Sequence, residues 1–252
     1  MNIQLVRHAT LLIQFHNQCL LIDPICSPVG SMDPVPGVPN TQKNPLVNLT
    51  VPLSTLLEVD AVLLTHLHRD HFDPEAARLL PKHLPVFCQP EDTEAIRAYG
   101  FRHVSPVSSS LTWEGITLHR TGGQHGSGEM AQRMGPVSGF VLEAQTEPTL
   151  YISGDTVWCP EVKQALHTYT PDVVVCFAGG AQFAEGLPIT MTSTDILHVS
   201  NDAPHARIIA VHMEAWNHCR LSRSELRTFA GTHDLSSRLL IPKDGDIITF
   251  MA

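Results

Sequence analysis

The sequence predicts a mixed α/β protein in which two sheets pack face to face and carry helices on their outer faces. Three observations predict it. Short apolar, β-branched runs recur along the whole chain. Helical signals fall singly between them. A hydrophobic content of 43% against 16% charged residues supplies enough apolar surface for a stacked core. At 252 residues, one large domain spanning 1–252 is expected, because layered architectures of this size are common as single domains.

In chain order, strands are expected at 3–6, 11–15, 19–22, 61–65, 86–88, 116–118, 139–142, 149–152, 173–177, 207–211 and 246–250. Helices are expected at 74–80, behind the helix-start residue Asp73, and at 91–99, 160–169, 194–201 and 222–230. The stretch 23–52 differs, with seven prolines and two glycines. Proline fixes φ and removes a backbone donor, so this stretch reads as an extended irregular excursion, either a lid or binding loop or a plain surface wrap.

Composition excludes several classes. A net charge of −9 argues against general affinity for nucleic acid or an anionic membrane, both of which favour a basic face. The first residues show no secretory pattern and nothing approaches a membrane span. Six cysteines without CxxC pairing suit free thiols in a reducing cytoplasm. The unusual number is 15 histidines against 16 lysines and arginines together, and histidine is the commonest metal ligand.

The decisive segment is Val59-Asp-Ala-Val-Leu-Leu-Thr-His66-Leu-His68-Arg-Asp70-His71, an apolar strand running into four potential ligands within six residues. Unpaired ionisable groups at a buried strand end cost on the order of 2–7 kcal/mol, and a metal supplies the partner. His66 and His68, two apart, share one side of an extended backbone and can grip one ion. Asp70 and His71 fall on the following turn and can face a second. Further apolar strands end at Gly154-Asp155, at Ala178-Gly-Gly180 and at His212, and strand ends that share one rim can converge without being near in sequence. Asp155 suits bridging, since a carboxylate has two oxygens. For a remaining ligand the candidates are His103, His119 and His125. His125 stands among glycines that let backbone approach an ion, whereas its rival His119 lies within a strand.

These residues resemble the metallo-β-lactamase superfamily, in particular its branch of ascorbate-6-phosphate lactonase-like cytoplasmic hydrolases. The resemblance rests on HxHxDH as His66, His68, Asp70 and His71, the loop histidine His125, the pair Gly154-Asp155 and the strand-end His212, with Arg7-His8-Ala-Thr10, Asp23-Pro24 and Thr190-Met-Thr192 as support. It implies a four-layer αββα sandwich. It also implies one ion on His66, His68 and His125, a second on Asp70, His71 and His212, and Asp155 shared. His8 and Asp23 would then stand near the site as outer or substrate-contacting groups. The polar run Met213–Cys219 departs from the plain family pattern and offers Glu214 and His218 as substrate contacts. Cys219 reads as structural, because Asp70 already fills the place a cysteine takes in some relatives.

Two divalent ions are therefore expected, with zinc favoured by imidazole ligands and manganese or iron admitted by the carboxylates. Water held between two ions falls in pKa from about 15.7 toward 7, so hydroxide is the expected nucleophile and Asp70 a proton relay. The expected reaction is hydrolysis of a small-molecule lactone, ester or amide. A phosphodiester is the alternative within hydrolysis, and an iron-dependent oxidoreductase on the same scaffold is the alternative outside it. A non-catalytic metal-binding protein would lack an open coordination position. No GxSxG or phosphate-cradling GxxxxGKS motif supports a serine or P-loop mechanism. The expected partner is a small molecule, with no nucleic acid and no membrane, and homo-oligomerisation stays open.

Overall fold

A computed structural model describes residues 1–250. Its strands are β1 (Asn2–Arg7), β2 (Thr10–Phe15), β3 (Gln18–Ile22), β4 (Ala61–Leu63), β5 (Pro85–Cys88), β6 (His103–Pro106), β7 (Ser110–Trp113), β8 (Ile116–Thr121), β9 (Gly139–Ala144), β10 (Leu150–Ile152), β11 (Val173–Phe177), β12 (Arg207–Val211), β13 (Leu239–Leu240) and β14 (Ile247–Thr249). The α-helices are α1 (Leu53–Leu57), α2 (Pro74–Leu79), α3 (Thr93–Ala98), α4 (Glu129–Met134), α5 (Pro160–Tyr169), α6 (Ser193–Asp202) and α7 (Arg223–Thr232). Two seven-stranded mixed sheets form, in the orders β14-β1-β2-β3-β4-β5-β6 and β13-β12-β11-β10-β9-β8-β7.

Side-chain alternation explains the four layers. In β12, Ile209 and Val211 join the core between the sheets, while Ile208 and Ala210 face the opposite way. The central core takes Leu5, Ile13, Ile22 and Leu63 from one sheet and Leu118, Phe140, Ile152 and Val175 from the other. A second apolar layer joins the outer face of the β12 sheet to α5, α6 and α7. A third joins the β3–β4 sheet to α1, α2 and α3. Strands covered on both faces must be apolar throughout, which is why they read as continuous hydrophobic runs. Burial of each such Leu, Ile or Phe contributes about 1.5–3 kcal/mol.

Helix starts follow local chemistry. Asp73 accepts from Ala76 N with Pro74 in the first turn, and Thr192 and Ser222 each form a capping box, with Asp195 and Glu225 respectively. The expected helix at 91–99 is a 3₁₀ turn at Pro90–Asp92 followed by α3. Short elements β6, β7, β13, α1 and α4 had given no periodic signal. No helix among the described residues is long and apolar enough to cross a membrane.

The proline-rich excursion is irregular but anchored. Arg7, fully buried, donates to the carbonyls of Ile25, Ser27 and Val47. Asn217 clasps the middle of it: Oδ1 accepts from Val35 N (2.9 Å) and Asn44 Nδ2 (2.8 Å), while Nδ2 donates to Val35 O (3.1 Å) and Asn40 O (2.7 Å). With four bonds lost and the four loop groups that make them deprived of this partner, Asn217→Ala is expected to lower stability by about 2–3 kcal/mol. Limited proteolysis should then cut residues 33–44 faster than in the wild type; an unchanged cleavage rate would refute the clasp.

Candidate metal centre

The parallel strands β4, β10, β11 and β12 end on one rim, and the ligand-type residues follow those ends. Beyond β4 the chain delivers His66 and His68 and then turns tightly, with His71 N and Phe72 N both donating to His68 O. After β10, Gly154 adopts φ +65°, and a Cβ there would lie 2.4 Å from Ser138 O, so glycine alone permits the turn that presents Asp155. After β11, a Cβ on Gly179 would lie 2.1 Å from His212 O, so the chain passes closely beneath that ligand only because the side chain is missing.

These segments bring His66, His68, Asp70, His71, His125, Asp155 and His212 together. Asp155 lies between the others: its Oδ2 is 3.2 Å from His71 Nε2 and 3.3 Å from His125 Nε2, and its Oδ1 is 3.3 Å from His212 Nε2. Ligand atoms of His66, His68 and His125 lie within 4.8 Å of one another, as do those of His66, His71 and Asp155, and those of His8, Asp70, His71 and His212. His119 stands apart, paired with Glu143 at 2.8 Å and packed on Tyr169. His103 is exposed at the start of β6.

Hydrogen bonding at the far nitrogens assigns the near ones. His125 Nδ1 meets Ile189 O at 2.8 Å, and a carbonyl only accepts, so Nδ1 carries the proton and Nε2 a lone pair. His71 Nδ1 donates to Asp23 Oδ2 (2.8 Å) by the same logic. The Thr65 hydroxyl gives its proton to Asp23 Oδ2 (2.7 Å), so it accepts from His66 Nδ1 (3.1 Å). The Cys219 thiol donates to His212 O (3.4 Å), which leaves its sulfur facing His212 Nδ1 at 3.7 Å as the acceptor. Four Nε2 atoms thereby point inward, and outer partners of this kind orient metal-ligating imidazoles.

Electrostatics ask for positive charge at the centre. Burial works to raise the Asp70 and Asp155 carboxyls, yet the surrounding imidazoles, His71 for the first and His212 and His71 for the second, hold both well below the usual carboxylate range. Burial likewise opposes charge on His71, but Asp155, Asp70 and Asp23 overcome it and push this imidazole up to about 10. Burial drives His66 and His125 down toward the neutral form. His71 Nε2, Asp155 Oδ1 and His212 Nε2 are buried without a hydrogen-bond partner among the described residues. Each such group would cost about 1–3 kcal/mol. Inward-facing Nε2 atoms, ionised carboxylates and unpartnered buried atoms in one cluster fit divalent cations.

Residues 21–213 match the beta-lactamase superfamily domain. The chain belongs to the beta-lactamase superfamily. It is 41% identical over 254 residues to UPF0173 protein YddR of Bacillus subtilis (strain 168), covering 99% of this chain and 100% of that one. Among solved structures it is similar to the isothiocyanate hydrolase from Delia radicum gut bacteria, at 37% identity and a TM-score of 0.96 with both chains fully covered. It is also similar to a possible metal-dependent hydrolase from Veillonella parvula, at 38% identity and a TM-score of 0.96 over 99% of each chain. The superfamily match thus covers residues 21–213, and the likeness to these relatives extends over nearly the whole chain.

A cleft of about 170 Å³ opens on the cluster, lined by the polar His68, Arg69, Asp70, His125 and His218 and by the apolar Val35, Met134, Phe183 and Trp216. Val35 belongs to the proline-rich excursion, so that segment forms one wall. His218 is buried, its Nδ1 has no partner among the described residues, and burial pushes it down to about 4. Glu214 turns away from the cleft and pairs with Arg223 at 2.8 Å, with Asp244 on the same guanidinium at 2.9 Å. Asp23, fully buried, contacts His71 and Thr65 and does not line the cleft. Sequence reasoning did not find the outer partners Thr65, Ile189 and Cys219. Thr65 had one available signal, a hydroxyl directly before His66; Ile189 acts through its backbone and Cys219 lies in a separate segment.

Proposed function

We propose that this chain is a dinuclear metal-dependent hydrolase acting on a small organic molecule with an electrophilic carbon, and that isothiocyanates lead the class, ahead of lactones, esters and amides. The observation that carries the hydrolytic reading is the convergence of five imidazoles and two carboxylates in one cluster, of which His68, Asp70 and His125 line a small cleft. His66, His68 and His125 would hold one ion, Asp70, His71 and His212 the other, and Asp155 would contribute to both. A divalent ion in such a set supplies acidified water and polarises the substrate.

The chain's own groups set the remaining chemistry. Asp70 belongs both to the cluster and to the cleft lining, so its carboxylate is placed to take the proton released when water adds to carbon. His218 offers an imidazole to the substrate heteroatom. Val35, Met134, Phe183 and Trp216 shelter an apolar substituent, and about 170 Å³ limits it to a small one. For an isothiocyanate, water adds across the C=N bond, and the resulting thiocarbamate breaks its C–N bond to release amine and carbonyl sulfide. Full-length likeness to a hydrolase named for that substrate supports the choice. A polymeric phosphodiester suits the cleft poorly, since it needs a groove lined with cations, and Arg69 is the cationic side chain on this cleft.

Allyl and benzyl isothiocyanate, lactones, esters, amides and phosphodiesters, each assayed before and after chelator treatment, test the reading. Turnover should vanish on stripping, return with zinc or manganese, and be absent from His68→Ala, which should stay folded with less bound metal. Undiminished turnover by the stripped protein would refute metal dependence. A preference for phosphodiesters would refute the substrate class.

A further inference from the structure

We infer that His8 is itself a ligand of the second ion, so that this position is held by His8, Asp70, His71 and His212 and is closed, while the position of His66, His68 and His125 is the open, reactive one. This inference rests on the two-ion reading above.

His8 stands at the end of β1 and His212 at the end of β12, which belong to different sheets, and His212 N donates to His8 O at 2.9 Å across the seam. Both residues have left-handed backbone, φ 56° and 62°, a conformation that costs energy in residues with a Cβ and persists where surrounding structure enforces it. The two rings then lie 3.7 Å apart by centroid, and Trp216 stacks on His8 at 5.4 Å and 27°, which fixes its orientation. Asp70 Oδ2 lies 3.4 Å from His8 Nε2, 3.7 Å from His212 Nε2 and 3.9 Å from His71 Nε2. One carboxylate oxygen thus faces three imidazole nitrogens, all four ligand atoms falling within 4.8 Å of one another.

Exposure separates the two positions. Of the first set His68 and His125 line the cleft and His66 is buried, whereas of the second only Asp70 reaches the cleft and His8, His71 and His212 are fully buried. Asp155 aside, the position of His8, Asp70, His71 and His212 has four protein ligands, three of them away from the cleft, and a position so filled holds its ion structurally, while the three-ligand position beside the cleft keeps room for water and substrate. His8 therefore divides the labour: the buried ion anchors the two sheets, and the cleft ion does the chemistry.

Zinc is the probe. Wild-type protein, stripped and reloaded, should bind two zinc ions per chain, and graded chelation should remove the cleft ion first. His8→Ala should bind one, with affinity for the second weakened roughly 100-fold or more, beyond what losing an outer partner does. His8→Gln retains a donor for Asp70 but no imidazole, so it should not restore the second ion. If His8→Gln binds both ions with wild-type affinity, His8 is only a hydrogen-bond partner and the inference is overturned while the two-ion reading stands. One zinc per wild-type chain would overturn both. Should either variant fail to fold, a crystal structure of the zinc-loaded wild type decides: His8 Nε2 at about 2.0–2.1 Å from zinc supports ligation, and His8 bonded to Asp70 alone overturns it.

Discussion

Asp155→Asn should lower kcat/KM by about 10³-fold or more, well above the 10–100-fold that follows loss of an outer partner of a ligand. The reason is geometric. Asp155 addresses both halves of the cluster, with Oδ1 at 3.3 Å from His212 Nε2 and Oδ2 at 3.2 and 3.3 Å from His71 and His125. Asparagine matches its shape but replaces one oxygen by an amide NH₂, which has no lone pair for a cation. One half of the cluster therefore loses its Asp155 oxygen whichever way the amide turns. The charge balance changes as well, because Asp155 is the strongest of the groups that hold His71 and His212 up. Zinc content of the purified variant should fall below that of the wild type in parallel with activity. An Asp155→Asn protein with wild-type zinc content and wild-type turnover would refute the bridging role.

The second large effect is expected at Asp23, a residue that does not meet the cleft. Its carboxylate accepts from Thr65 N (2.8 Å), Thr65 Oγ1 (2.7 Å) and His71 Nδ1 (2.8 Å), all fully buried, and it stands at φ 42°. Asp23→Ala removes the acceptor and leaves those donors without one inside the protein. Breaking a buried pair in this way costs about 3–5 kcal/mol. It should also weaken zinc binding 10- to 100-fold, roughly, because neither the His71 ring nor the Thr65 hydroxyl that orients His66 is then held. Unfolding should be followed with chelator present, since saturating zinc stabilises the native state by about 2.7 kcal/mol at 100 times Kd and would mask part of the loss. A variant with both an unchanged denaturation midpoint and unchanged zinc affinity would show that Asp23 neither supports nor orients the cluster.

Much of the fold was legible because its strands are covered on both faces, so they read as unbroken apolar runs whatever their neighbours are. Strand β6 begins at the exposed His103 and mixes polar with apolar residues, β13 has two residues, and α4 has no buried side chain, so none of these leaves a periodic trace. Four of the seven clustered side chains sit in one six-residue segment and were visible as a unit. Asp155 and His212 were visible only as ends of apolar strands. Glu214 shows how such reasoning fails: placed two residues after His212, it looked like a rim group, but the backbone carries its carboxylate to Arg223.

The sequence by itself determined the layered α/β class and the metal-ligand chemistry, because strand periodicity and the spacing of His66, His68, Asp70 and His71 are local properties of covalent geometry. Tertiary structure alone decided which nitrogens face inward, since that depends on contacts such as His125 with Ile189 O, 64 residues away, and His71 with Asp23, 48 residues away. It also decided that His8 and His212 share one seam, through a hydrogen bond between two different sheets. Side-chain type says what a residue can bind; only the packing of distant segments says where its lone pairs point.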